Sequence, residues 1–563
     1  MRRTACLLAA IACGGSAAPH AVRASARDGA VEVWWDPLPF VAGYRAQLAD
    51  LDRGAAASEA RVVRGTHAVL PGMASGVWVD ALGGGRTTAV VGAGATGGNG
   101  AHWQIFAPWD FRRGALEARF DRLAPGERIG VLLVNFGGND GAGAEVIVDG
   151  VAAPGDASVQ RTALTVPAAP LLHESLRARE SALALEPPAA AETLEAGARR
   201  SFCVVSGLDF SRHRRKPATL AVSAAHAEVY VDDDDLGAYE GPDLQALAQS
   251  FEERVWSPVT ATFGTPTDVD GNGKLVVLLT HELGAHLNGG WLIGYFGNAD
   301  LVRGRDDSPA CSGNGSNHGE IVYLNDPRNG AENGYARADL FSSVYPATLA
   351  HEMQHLINFA RRCVLRSCDG PEAVWINEAL SKVAEDVAGY GWNGPGGRAE
   401  GAAYLGHGVG DLRGYDGRSL TRWEGDPIGN YQGAHSFLRL FTDRLGGDLL
   451  ARLGAGPGGV TGLEAVLGLP MPLAMAEWAT ALLLSNEDGA PYSFSGTAWS
   501  PLHDRLRHLE TRTPGAQSLR ADGIAAVMSG SGLDGPARVA VRSGEENPPY
   551  VVVVRTSASL PTR

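Results

Sequence analysis

The sequence predicts a multidomain protein with three parts. These are a β-sandwich-like N-terminal region, an α+β domain in the middle and a small β region at the C-terminus. Three observations predict it. A chain of 563 residues exceeds what one hydrophobic core organises, so roughly two to four domains are expected. From about 27 to 165, β-type runs alternate with glycine-rich turns, the mark of short strands in a sandwich. From about 227 to 486, apolar residues recur at helical spacing, with strands only at the front.

The elements follow in chain order. The start reads Met1-Arg2-Arg3, then a short apolar run to Cys13, then "GGSAAPH". Positive charge, apolar run and small residues make a secretory signal over 1–18, too short to span a bilayer. Two processing routes stay open: lipidation at Cys13, which gives a membrane anchor, or ordinary cleavage near Ala17 and Ala18. The sandwich is placed at 19–165, on runs such as "VEVWW", "GVWVDAL" and "RIGVLLVNF". Region 166–225 reads as a helix over 170–186, a linker, and further strands. In 226–490 the strands "AEVYVDDDD", "KLVVLLT" and "GEIVYLN" precede a series of helices. Region 491–563 returns to strands such as "PPYVVVVRT". No segment is long and apolar enough for a membrane span.

The net charge of −15 argues against nucleic acid as a partner, since phosphate contact needs a basic surface. Of six cysteines, Cys203, Cys311, Cys363 and Cys368 remain beyond the signal. An even number in an exported chain suggests disulfides. Cys363 with Cys368 encloses a short loop, leaving Cys203 with Cys311; the alternative is four free thiols.

The chemistry concentrates in "ATLAHEMQHLINFA". His351 and His355 are four apart, about 400° on a helix, so both imidazoles leave one face a turn apart. Glu352 adjoins the first and is placed to accept a proton from water on the open side of an ion. This is the H-E-x-x-H arrangement of zinc peptidases. A histidine pair on an otherwise apolar, buried helix needs something to satisfy it. Two histidines leave a zinc site incomplete. Glu378, in "WINEALSKVAED", is the candidate third ligand. Glu385 lies two turns further along the same face, where it can accept a hydrogen bond from a ligand histidine, and Asn377 sits beside the ligand position. By contrast "HELGAH" sets His281 and His286 five apart, about 500° of rotation, and reads as a loop. The run 232–235, four aspartates, reads as solvated.

"HEMQH" followed by "WINEALS" resembles the gluzincin metallopeptidases, whose second helix carries the ligand glutamate in a Trp-x-Asn-Glu-Gly-like motif; here Ala379 stands where glycine is usual. Within that group the stretches "AEVYVDDD", "FGTPTDVDGNGKLVVLLT" and "SNHGEIVYLN" make the chain similar to the hyicolysin-type neutral metalloproteases, over about 225–490. The resemblance implies a zincin-like fold and one Zn2+ ion held by His351, His355 and Glu378. It also implies Glu352 as general base and a polypeptide substrate. Candidate oxyanion donors are Tyr431 and His435, four apart on one helix. The strand "GEIVYLN" is expected beside the cleft. No Gly-x-Met-Glu-Asn motif is present, which tilts the expectation from aminopeptidase to endopeptidase.

"DVDGNGK" places Asp268, Asp270 and Asn272 at Ca2+-loop spacing. The twelfth position is Leu279 and a strand follows, so the alternatives are a calcium loop and a tight turn. The expected protein is an exported zinc endopeptidase. Its rivals are a peptidase-like binding or adhesion protein and an aminopeptidase.

Overall fold

The computed structural model describes parts of 23–152 (chiefly its strands), and 195–206, 212–283, 292–332, 335–365, 372–390, 418–423, 427–445, 448–467, 470–483, 511–529 and 533–556. Cys13, the expected helix over 170–186, His286 and Cys368 lie outside the described residues.

Three sheets carry the architecture. The first takes eight strands from within 23–92. It is antiparallel except where Arg23–Arg27 meets Arg86–Gly92. Alternate residues such as Val31, Val33, Val77 and Val79 are buried, the period-two signature of a strand with one covered face.

The second sheet joins chain segments that the sequence read as separate. Ala115–Asn135 pairs antiparallel with Gly523–Met528, Leu533–Arg542 and Tyr550–Thr556. Strands of 102–152 and 511–556 are thus one sheet. Both of its faces are covered. Ile129, Val131, Leu133, Val551 and Val553 pack into a core within the β region. Leu132, Val134, Val552 and Val554 pack into the large helical core. That accounts for the unbroken "VVVV" run: a strand buried on both faces needs no polar alternation. Gly130 permits the approach of the helix Met471–Leu483, since a Cβ there would meet Leu483 Cδ2 at 2.8 Å.

The third sheet has six strands, in the order Arg199–Val205, His213–Ser223, Ala227–Asp232, Leu275–Thr280, Ile321–Asn325, Gly294–Phe296. The central pairs are parallel and the outer ones antiparallel. Val277, Leu279, Val322 and Leu324 face the helices, while Val276, Leu278, Ile321 and Tyr323 face the other side. "GEIVYLN" is therefore an interior strand, and Gly294–Phe296 takes the edge. A strand flanked on both sides has no free backbone to offer. The disulfide Cys203–Cys311 ties the first strand to the loop before Ile321–Asn325. Cys363 is also disulfide-bonded.

Every residue of the histidine helix, Tyr345–Phe359, is buried. A helix with no solvent face sits inside a large core. Pro346 lies in its first turn, directly after the wider turn Leu340–Val344, the kind of local departure that accommodates a residue with no N–H to donate. Wider π-type turns, Leu340–Val344 and Ala360–Val364, adjoin both ends. At Gly294 a Cβ would meet Tyr323 O at 2.7 Å and Thr348 Cγ2 at 2.8 Å, so glycine lets this helix lie against the edge strand. The glutamate helix, Val374–Val387, packs beside it, with Pro427–Leu445 beyond. Among the described residues no single helix is long and apolar enough to cross a membrane. Gly459–Leu467 and Met471–Leu483 reach that only jointly, across a 68° bend.

Candidate metal centre

The two helices bring the expected ligands together. His351 Nε2 lies 3.2 Å from Glu378 Oε2, and His355 Nε2 lies 3.3 Å from the same oxygen. Glu378 is 0% exposed. The other ring nitrogens are already committed. His351 Nδ1 is 2.8 Å from Glu385 Oε1; a carboxylate only accepts, so Nδ1 carries the proton. His355 Nδ1 is 3.0 Å from Ser381 Oγ, whose hydroxyl donates to Gln354 Oε1 at 2.5 Å. In that arrangement both Nε2 lone pairs face a carboxylate oxygen, which only positive charge can reconcile. Ligands about 2.0–2.1 Å from a tetrahedral zinc lie about 3.3–3.4 Å from one another, so the donor set fits that ion.

The electrostatics agree. Burial alone would favour neutral His351, but the Glu378 and Glu385 carboxylates, with the Glu352 charge, raise its pKa to about 10. Positive charge is demanded here, and in metal-free protein a proton supplies it. Burial would raise Glu385, yet Lys382 and His351 outweigh it and hold the carboxyl below its usual range.

The remaining candidates divide. Tyr431 is buried, its ring centroid 6.3 Å from that of His351 and 4.8 Å from that of Trp423. His435, read with it as a donor, makes a contact that the sequence does not announce. Its Nε2 lies 2.7 Å from Asp386 Oδ2, which also takes Arg439 Nη1 at 2.5 Å. Although burial opposes ionisation, His435 and Arg439 hold Asp386 far below the carboxylate range. This ion pair fastens Pro427–Leu445 to the glutamate helix. Asn377 Oδ1 likewise accepts from Asn358 Nδ2 at 2.8 Å, joining the two helices. Ser381, Gln354 and Lys382 were missed: their types are ordinary in a helix, and only the neighbouring helix gives them a role.

Two further groups bring carboxylates together. Asp268, Asp270 and Glu320 offer ligand atoms within 4.8 Å of one another. Asn272 Nδ2 bonds Asp270 Oδ2 at 2.9 Å, and Glu320 arrives from beside the strand Ile321–Asn325. Burial pushes Glu320 up to about 7. Asp232, Asp235 and His281 form the other group. Asp232 and Asp235 are buried, not solvated. Both belong to an ion-pair network with Lys216, Arg328, Glu282 and Asp326, and His281 Nδ1 bonds Asp235 at 2.8 Å. A four-residue acidic run looks solvated in sequence because its counter-ions come from distant positions.

No protein-family model matches the chain. Over 193 residues it is 28% identical to "Neutral metalloprotease ShpI" of Staphylococcus hyicus, covering 33% of this chain and 40% of that relative. The chain thus matches less than half the length of the relative. A structure of Salmonella alpha-2-macroglobulin reacted with methylamine aligns at a TM-score of 0.13 and 11% identity, over 97% of this chain and 41% of that one, too slight a likeness to bear on the fold. The Cys203–Cys311 disulfide fits a chain folded in an oxidising compartment.

Proposed function

We propose that this chain is an exported zinc endopeptidase of the gluzincin type, with His351, His355 and Glu378 as ligands. The observation that carries the reading is the convergence of two Nε2 atoms on one Glu378 oxygen, at 3.2 and 3.3 Å. A zinc ion held there supplies Lewis acidity, acidifying water and polarising a carbonyl.

The chain's own groups do the rest. Glu352 takes a proton from the water that attacks the scissile carbonyl and returns it to the leaving amine. Glu385 and the Ser381–Gln354 pair hold the imidazoles with Nε2 inward. Tyr431, beside His351, donates to the oxyanion as the carbonyl becomes tetrahedral. The edge strand Gly294–Phe296 pairs with the main chain of an extended polypeptide, which supplies binding without strong sequence preference.

The test is cleavage of casein by the purified chain, with and without a zinc chelator, beside Glu352→Gln. Chelator-sensitive cleavage by wild type and none by a variant with undiminished zinc is the expected result. Proteolysis that survives complete zinc removal, or full activity in Glu352→Gln, overturns the reading.

A further inference from the structure

The glutamate helix braces both imidazoles, but by different chemistry. His355 Nδ1 rests on a neutral pair, Ser381 and Gln354. His351 Nδ1 rests on one oxygen of Glu385, and the other oxygen of that carboxylate takes Lys382 Nζ at 2.5 Å. Lys382 is 4% exposed and is one of three lysines in the chain. A buried ammonium is costly unless paired, and an apolar side chain would fill this helix position without that cost.

Charge gives the residue a reason. Glu352, Glu378 and Glu385 bring three negative charges to the site; Lys382 offsets one, and a divalent cation offsets the other two. Geometry gives a second reason. Glu378, Lys382 and Glu385 stand at i, i+4 and i+7, one face of the helix. A glutamate side chain has three rotatable bonds, and fastening both carboxylate oxygens fixes where Oε1 points.

We propose that Lys382 is a positioning residue of the metal centre. Acting through Glu385, it keeps the His351 ring turned so that Nε2 faces the ion. This rests on the zinc reading above. The proposal has a definite sign. Through simple charge, loss of a nearby cation would tighten zinc binding; through positioning, it weakens it.

The test is zinc affinity, measured by competition with a chromophoric chelator, for wild type, Lys382→Met and Lys382→Arg. Circular dichroism of each metal-free protein monitors folding. Lys382→Met should bind zinc about 10–100-fold more weakly, the range for lost outer hydrogen bonds at zinc sites. Lys382→Arg, which keeps charge and donors, should return to within a few-fold of wild type. If Lys382→Met does not fold, Lys382→Gln keeps a neutral donor and should show a smaller loss. Unchanged or tighter binding by Lys382→Met, or by Lys382→Gln in its place, overturns the proposal while leaving the zinc reading intact. Failure of wild type to bind one zinc per chain overturns that reading and this proposal with it.

Discussion

The cluster of His351, His355 and Glu378 and the cluster of Asp232, Asp235 and His281 are alike in kind. Each gathers imidazole and carboxylate from separate elements, with ligand atoms within 4.8 Å of one another. They differ in what fills the middle. At the second, Lys216 Nζ lies 3.2 Å from Asp232 and 2.7 Å from Asp234, and Arg328 bonds Asp235. The chain supplies its own cations there. At the first, Lys382 is turned to Glu385, and it is two imidazoles that meet the Glu378 carboxylate. Donor type and spacing therefore do not by themselves separate a candidate metal site from an ion-pair network; at the second cluster the chain's own lysine and arginine supply the positive charge.

That contrast breaks most sharply by deletion. Glu378→Ala should release the zinc and reduce proteolysis to background, whereas Asp235→Ala should leave zinc at one per chain. Metal analysis of the two purified variants checks this, and zinc loss from Asp235→Ala would erase the distinction. Glu352→Gln should retain zinc and lose about 10²–10⁴-fold in kcat, the usual contribution of a general base.

Lys216→Met reverses the effect: stability falls and metal content stays. Removing one partner from a buried ion pair costs about 3–5 kcal/mol, and Asp232 and Glu282 would both be left short of a partner. Urea unfolding in saturating zinc reads it. At the metal centre Tyr431→Phe should lower kcat by about 10²–10³-fold with little loss of zinc, as when an oxyanion donor is removed; an unchanged rate excludes it as the donor.

The smallest effect belongs to the third cluster, intermediate between the two. Arg200 Nη1 approaches Asp270 only to 3.9 Å, and Glu320 is pushed up to about 7 by burial. Its folded pKa lies above its ordinary value of 4.5, so its contribution to stability is fully present below about pH 4.5 and is lost as pH rises through about 7. Thermal midpoints of chelator-treated protein should fall across that window, and Glu320→Gln should flatten the slope. Repeating the titration with added calcium decides between a calcium loop and a tight turn.

Much of the convergence of side chains at the candidate metal centre was legible because its periodicity is local. His351 and His355 need only 3.6 residues per turn to share a face, and the seven residues from Glu378 to Glu385 are two turns. The ion-pair network was illegible for the opposite reason. Lys216, Asp232, Glu282 and Arg328 span more than a hundred positions, and only folding makes them neighbours. The bond from His435 to Asp386 was illegible on the same ground, since nothing near His435 in sequence announces that partner. The strand "GEIVYLN" has the composition of a strand with both faces covered, but whether another strand lies beyond it is a matter of topology.

The pairing of Arg128–Val134 with Tyr550–Thr556 sets an order of events during synthesis. The earlier strand leaves the ribosome some four hundred residues before its neighbour, and all the helices of the metal centre emerge in between. Leu132 and Val134 must wait, greasy and unmatched, for the last stretch of the molecule. Contacts this far apart slow folding and prolong the exposure of sticky intermediates. A nick or premature stop before Tyr550 would therefore harm more than a remote β layer, because the same valines, through Val552 and Val554, wall the hydrophobic interior in which the histidine helix lies.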